Sequence, residues 1–502
     1  MPIYIGGEEV GVVINTEQKN EGEFWVKVID YDGTILKEDW LDTGDTFTLP
    51  KPPTHDRLTF QEWASPVEIT DSAITVGHSD IVIGATYITT SGNDEFDIEL
   101  NDRTGLHVEI RSINVSSTQG NTRSLSISWG DGTTDNYSVI SGSNHNNYSH
   151  TYQQEGNYTI EIGATGTFSF YFNNSIGAYG LFINEAGDNI YCCKHARLGL
   201  QQHTSLLRMF QNAFLLETVT IPKMAEPYTS FGNAFYACNS LKACVIPNSV
   251  ETISDYSFYG CSNLINVVIP QSVDTVGSNA FGSCYKLSSI TIPNNTAQIE
   301  YSAFSGCYEL NGINLSESSL PKIENNSFST CRKIESVKLP STITSIDTSA
   351  FSSCYNLKTV DLSDCVNLTS IADSAFLNNY KLETIILPDS LTEIGDNSFS
   401  GCYNLYVKNY GDANYMPSYS TPYFVLKSCT NTDITSCSIH SDCKIISSNA
   451  FQNCYYLETV SLPAGLLQIG YGAFRSCREL QSITFPSTLK KSIMLHFHLV
   501  EV

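Results

Sequence analysis

The 502-residue chain carries 52 acidic against 27 basic residues, a net charge of −25, which argues against nucleic acid as a partner because phosphate binding needs clustered Lys and Arg. Charged residues are only 16% of the chain, whereas Tyr (28) and Phe (24) are plentiful, a composition suited to mostly β structure with neutral surfaces. No apolar run approaches the ~18 residues that a helical span requires, so no membrane insertion is expected.

The start, Met1-Pro2-Ile3-Tyr4-Ile5-Gly6-Gly7-Glu8-Glu9, shows no basic segment followed by an apolar one, so no signal peptide is visible. This leaves two expectations: a phage tail or other virion component released by lysis, or an incomplete N-terminus. From Phe24 the chain alternates toward Asp32-Gly33, the signature of a hairpin with a tight turn. A Gly turn at Thr43-Gly44-Asp45, a Pro-rich crossing at Leu49 to Thr54 and a closing Phe60-Gln61-Glu62-Trp63 come next. These residues resemble the Listeria-Bacteroides repeat, also called the internalin B-repeat, although Gln61-Glu62 replaces a small Gly-containing pair. The resemblance implies a small β-grasp-like unit over residues 1–65 that acts as a stalk or spacer. Residues 66–92 alternate Ile, Val and Thr without a motif and are expected to form a linker.

Farther along stands Trp129-Gly130-Asp131-Gly132-Thr133, answered by His150-Thr151-Tyr152 and Gly156-Asn157-Tyr158-Thr159-Ile160. Alternating strands around Gly-rich turns indicate a sandwich over residues 93–165. The pair of motifs looks like a PKD domain, an immunoglobulin-like fold common in extracellular proteins. Trp129 is then a core anchor, with Gly130 and Gly132 supplying turn conformations that side chains resist. Asp131, Asp135 and His150 are read as turn formers in preference to a metal site. Residues 166–209, including Phe168 to Phe172 and Cys192-Cys193, carry no motif; they are expected to cap the open end of the repeat array that begins at residue 210.

Over residues 210–502 the text Phe-x-x-Cys-x-x-Leu-x-x-Val-x-Leu returns with a period of about 23 residues. Ala350 to Leu362 shows it fully. Phe, Cys and Leu at i, i+3 and i+6 predict a short helical turn, and Val and Leu at i+9 and i+11 predict a strand. A Pro, as at Pro270 or Pro340, then ends the strand, and Val-x-x-Ile leads to the next Phe. This pattern resembles the BspA-like leucine-rich repeats. The expected fold class is therefore mostly β: a leucine-rich-repeat solenoid preceded by an Ig-like β-sandwich and a small β-grasp-like unit.

Cysteines recur after each Phe, as at Cys284, Cys307 and Cys354, and read as buried reduced thiols whose parallel side chains bridge poorly. Cys429, Cys437, His440 and Cys443 have zinc-like spacing, but Cys437 and Cys443 fall on core positions of the repeat, so neither metal nor cofactor is expected. No nucleophile-base set, His-Glu-x-x-His or Walker loop is present, which points away from an enzyme.

Tyr follows the Cys position at Tyr285, Tyr308, Tyr355, Tyr380, Tyr403 and Tyr455, a spine that suits stacking between coils and also contact with protein or carbohydrate. An irregular insert at 406–430 adds Tyr410, Tyr415 and Tyr423. These nine tyrosines are the candidate binding residues. The expected function is a non-enzymatic adhesin or receptor-binding protein of the extracellular space, cell surface or phage virion, contacting host or cell-surface protein or glycan. The alternative is a structural spacer without its own ligand. After Pro486 another coil begins but places Ser492 where Ile belongs, expected as a degenerate cap or a truncated array.

Overall fold

A computed structural model describes residues 3–5, 8–10, 23–101, 106–114, 123–139, 146–165, 169–170, 182–183, 193–200, 205–224, 228 and 230–492. It divides into two units, Lys19–Asn311 and Met1–Gln18 with Gly312–Val502. The described residues contain strands and turns and no helix.

The first unit begins with a mixed sheet. Glu23–Ile29 pairs antiparallel with Ile35–Asp42 on one side and parallel with Ile81–Thr89 on the other, and Leu58–Ala64 closes the far edge. Residues 66–92, expected as a linker, thus supply an inner strand. Its text, Ile81-Val82-Ile83-Gly84-Ala85, is a continuous apolar run because both faces are covered. Ile81 and Ile83 face the unit's own core with Val26, Val28, Phe47 and Ile74. Val82 packs with Ile29 and Ala64 against Val245 and Val268 of the repeat region.

Beside this sheet in the chain is a two-sheet sandwich. Asp94–Leu100, Gly156–Thr165, Arg123–Ser128 and Thr134–Val139 form one sheet, and His107–Asn114 pairs with Asn146–Thr151 in the other. The sheets meet through Tyr137 and Tyr148, whose ring centroids lie 4.4 Å apart. Trp129 is fully buried; its carbonyl accepts from the Tyr152 hydroxyl at 2.8 Å and its indole N–H donates to Asp135 at 2.8 Å.

Within residues 166–209, the segment expected to cap the repeats, Cys193–Arg197 joins the two folds. It runs antiparallel to Asp94–Leu100 of the sandwich and parallel to Thr218–Thr220, the first repeat strand. Arg197 clamps the joint by donating two hydrogen bonds to Asp97 at 2.8 Å each and one to Glu95 at 3.2 Å. Buried Asp94 accepts from the Gly199 and Leu200 N–H groups. Phe168, Tyr171, Phe172 and Cys192 lie outside the described residues.

A regular coil contributes two short strands that pair in parallel with their neighbours, as Ala243–Val245 with Asn266–Val268 and Thr252–Ile253 with Thr275–Val276. In the second unit Ile313–Asn314, Ser336–Lys338, Thr359–Asp361 and Thr384–Ile386 make one ladder, and Lys322–Ile323 through Glu393–Ile394 another.

The helical turn expected around Phe-x-x-Cys is absent. Residues two before and two after each Phe sit at positive φ, for example Ser349 (57°) and Ser353 (61°) around Phe351. A left-handed residue breaks the i→i−4 pattern of a helix. Alternate N–H groups turn to the next coil instead: Tyr256 to Ser278, Phe258 to Ala280 and Gly260 to Gly282, at 3.0, 2.7 and 2.8 Å. These bonds satisfy backbone groups that burial would otherwise strand.

Phe rings stack along the interior from Phe210 to Phe304 in the first unit, with neighbouring centroids 5.0–5.4 Å apart. In the second unit they stack from Phe328 to Phe399. The cysteines do more than fill space: Cys261 donates its thiol hydrogen to the Phe235 carbonyl at 3.0 Å, Cys284 to Phe258 at 3.1 Å and Cys354 to Phe328 at 3.1 Å.

Candidate functional site

Because Cys points inward, the following residue points outward, and the tyrosines expected as a spine stack in two separate runs. In the first unit Tyr285 and Tyr308 stack with centroids 4.8 Å apart and planes 17° apart. In the second, Tyr355 stacks on Tyr380 at 5.2 Å and Tyr380 on Tyr403 at 6.1 Å, the last pair within 2° of parallel. Tyr403 is 81% exposed. Its ring presents an open face, whereas the inner members offer edges and hydroxyls.

Two arginines of the second unit hold the equivalent place in their own coils. Arg332 and Arg478 each follow the Cys position, and their guanidinium carbons lie 5.8 Å from the Tyr355 ring and 5.0 Å from the Tyr455 ring. Their planar cations continue the stack by cation–π attraction. A search of the sequence for Tyr alone passes over them; aligning every residue after Cys finds them.

The insert is a hairpin, Lys408–Tyr410 with Ala413–Met416, and the latter strand pairs antiparallel with Val425–Cys429. That last strand rejoins the parallel ladder at Ile445–Ile446. Tyr410 is exposed and Tyr423 half-buried, but Tyr415 is fully buried and its hydroxyl accepts the His440 N–H at 3.2 Å. Tyr415 therefore supports the insert from within and is not a contact residue. The His440 ring stacks on Tyr423 at 4.0 Å and meets the Tyr410 ring edge-to-face at 4.7 Å. Nearby Tyr419 is 65% exposed.

The outward strand positions differ along the chain. Val245, Val268 and Thr291 are buried beneath the N-terminal sheet, and Thr291 also donates to the Asp80 carbonyl at 2.8 Å. Lys27 is buried there too, with Nζ donating to Asn266 at 3.1 Å; burial lowers its pKa, opposed by the Glu38 charge. In the second unit Lys338, Asp361, Ser461 and Thr484 are exposed.

The metal-like sets are occupied otherwise. Asp131 accepts from His150 at 2.7 Å and from Thr133, and Asp135 holds Trp129 and Tyr137. Cys437 and Cys443 are buried in the apolar core of the last coils. Among the described residues no group of three or more His, Cys, Asp or Glu is arranged to hold a metal ion, and no helix is long and apolar enough to cross a membrane.

Sequence comparison finds six copies of the BspA type leucine-rich repeat region, over residues 228–358, 275–406 and 424–498. The chain belongs to the BspA type leucine-rich repeat family. No curated protein matches it. Among solved structures, a leucine-rich repeat protein from Bacteroides ovatus is 28% identical over 52% of this chain and 76% of its own, with a TM-score of 0.36. A leucine-rich cell surface protein from Faecalibacterium prausnitzii is 22% identical over 50% of this chain and 69% of its own, at 0.28. The leucine-rich repeat protein of T. pallidum is 31% identical over 33% and 78%, at 0.30. The BspA type repeats account for the coils, and leucine-rich repeat proteins generally act by binding partners.

Proposed function

We propose that this BspA type protein is a non-enzymatic adhesin or receptor-binding protein, displayed on a cell surface or virion, that contacts host protein or glycan through its tyrosine–arginine column. The observation that carries this reading is the run Arg332, Tyr355, Tyr380 and Tyr403, a continuous π and cation stack ending on an open ring. Such rings offer large contact area at small entropic cost, and their hydroxyls supply directed hydrogen bonds. Tyr285, Tyr308, Tyr410, Tyr423 and Tyr455 extend the contact set. The PKD-like sandwich and B-repeat-like unit fit an extracellular setting.

Glycan-array and surface-binding assays of the full chain test it. Tyr380→Ser with Tyr403→Ser should abolish binding while leaving the unfolding midpoint nearly unchanged, since exposed ring edges contribute little to the core. Binding unaffected by both substitutions would favour the spacer reading, in which the stacks only join coils. The side-on packing of the N-terminal sheet on Val245 and Val268 speaks against that sheet being an extended stalk.

A further inference from the structure

The cysteine column has one irregular rung. In regular rungs the Phe N–H donates to the carbonyl just before the next Phe: Phe258 to Ala280, Phe351 to Ala375 and Phe451 to Ala473, at 2.7–2.8 Å. The N–H that reaches Ala450, just before Phe451, belongs to Cys429, at 2.7 Å. Cys429 therefore occupies the Phe place of the insert coil. Cys454, at the Cys place of the following coil, is buried in the core cluster against which Cys429 packs, and the two thiols are neighbours there. Cys429 passes its own hydrogen to the Asn431 carbonyl at 3.0 Å. Among the described cysteines it is the one that is not buried.

We propose that Cys429 and Cys454 form a reactive thiol pair that low-molecular-weight disulfides oxidise to an intramolecular disulfide, tying the insert coil to the coil after it.

The roles of the two sulfurs are set by their surroundings. The neighbouring Cys454 thiol holds the Cys429 thiol below its ordinary pKa, and Cys429, with burial, raises that of Cys454. Cys429, half-exposed and more readily ionised, attacks first. Its thiolate displaces one small thiolate from the incoming disulfide and carries the other half as a mixed disulfide. Cys454 then gives its proton to solvent and attacks the Cys429 sulfur, expelling the second small thiolate. The protein loses two electrons and two protons, and the small disulfide becomes two thiols. The buried ladder thiols do not compete: burial pushes Cys354 up to about 12, and pushes Cys402 up to about 11. Their hydrogens are engaged by Phe carbonyls.

The full chain, incubated with oxidised glutathione and then alkylated, tests the pair by intact mass and peptide mapping. The expected product is lighter by two hydrogens before alkylation, carries a Cys429–Cys454 cross-link, and unfolds at a higher temperature than the reduced chain. Cys429→Ser should prevent the cross-link, and Cys454→Ser should leave a lasting glutathione adduct on Cys429. A lasting adduct on Cys429 of the unaltered chain would overturn the proposal, as would no modification of either residue or a cross-link between other cysteines. Should Cys454→Ser not fold, the unaltered chain and Cys429→Ser decide the matter.

Discussion

The side-chain amide of Asn379 donates to the Phe351 carbonyl at 3.0 Å, the duty that Cys354 performs for Phe328 at 3.1 Å and Cys402 for Phe376 at 3.2 Å. One coil has exchanged a thiol for an amide and kept the bond, so the position is defined by donation to the preceding Phe as well as by small volume. Asn379→Ala should cost about 1–3 kcal/mol by leaving a buried carbonyl without its donor. Asn379→Cys should match the unaltered chain or exceed it, because it also removes an Oδ1 that has no hydrogen-bond partner among the described residues. Urea unfolding midpoints measure both; equal losses for the two variants would reduce the position to a matter of volume.

The repeat was legible in the sequence because Phe and Cys are held at fixed spacing by a core that tolerates little else. The path between them was not. Asn279, Ser302, Ser349 and Asn397 all sit at positive φ two residues before a Phe, and polar residues there read equally well as the exposed side of a helical turn. Val82 and Gly84 looked like part of a linker because the residues that cover them, Val245 and Val268, lie far along the chain at positions that alternation assigns to the outside. Periodicity reports which side a residue faces, not what is packed there. The tyrosine column was legible for the same reason as the Phe column, whereas Tyr415 resembled its neighbours in composition and differs only through the fold of the insert.

Gln468 serves Ile394 as a strand would. Its amide donates to the Ile394 carbonyl at 2.7 Å and accepts the Ile394 N–H at 2.7 Å, with the side chain buried. Gln468→Glu should destabilise the second unit more than its small change in shape suggests, since it replaces the donor with an acceptor facing a carbonyl. Gln468→Leu should cost about 1–3 kcal/mol for each backbone group left unsatisfied. Faster hydrogen exchange at the Ile394 amide in Gln468→Leu would report the loss of its acceptor, and a lowered urea midpoint would report the loss of the donor in Gln468→Glu; an unchanged exchange rate in Gln468→Leu would show another group taking over.

The joint between sandwich and repeats should be acid-sensitive. Partial burial raises the Asp97 carboxyl, but hydrogen bonds from Arg197 and Thr159 outweigh it and hold the group below the usual carboxylate range. Since the folded value lies below the unfolded one, this contribution is complete above about pH 4 and is lost as pH falls through the folded value. Arg197→Gln should therefore be less stable than the unaltered chain at neutral pH, and the gap should close on acidification below about pH 4. Chemical unfolding repeated across that range reads the gap; a constant difference would assign the cost of the substitution to lost packing.

Gly84 sets how closely the N-terminal sheet approaches the first repeat strands. A Cβ at this position would stand 2.5 and 2.8 Å from the two methyl carbons of Val245 and 3.0 Å from one of Val268, distances no side chain sustains. The backbone at Gly84 is ordinary strand, so the constraint is contact and not conformation. Gly84→Val should therefore leave the sheet's own core of Val26, Val28, Ile81 and Ile83 in place while driving the sheet off the repeats. Lys27 would then regain water, and the bond from Thr291 to the Asp80 carbonyl would open. Protease sensitivity and hydrogen exchange at residues 243–245 and 266–268 should rise, with little change in far-ultraviolet dichroism. If exchange at these strands stays at the level of the unaltered chain, the sheet has accommodated the methyl groups and the packing is looser than the distances indicate.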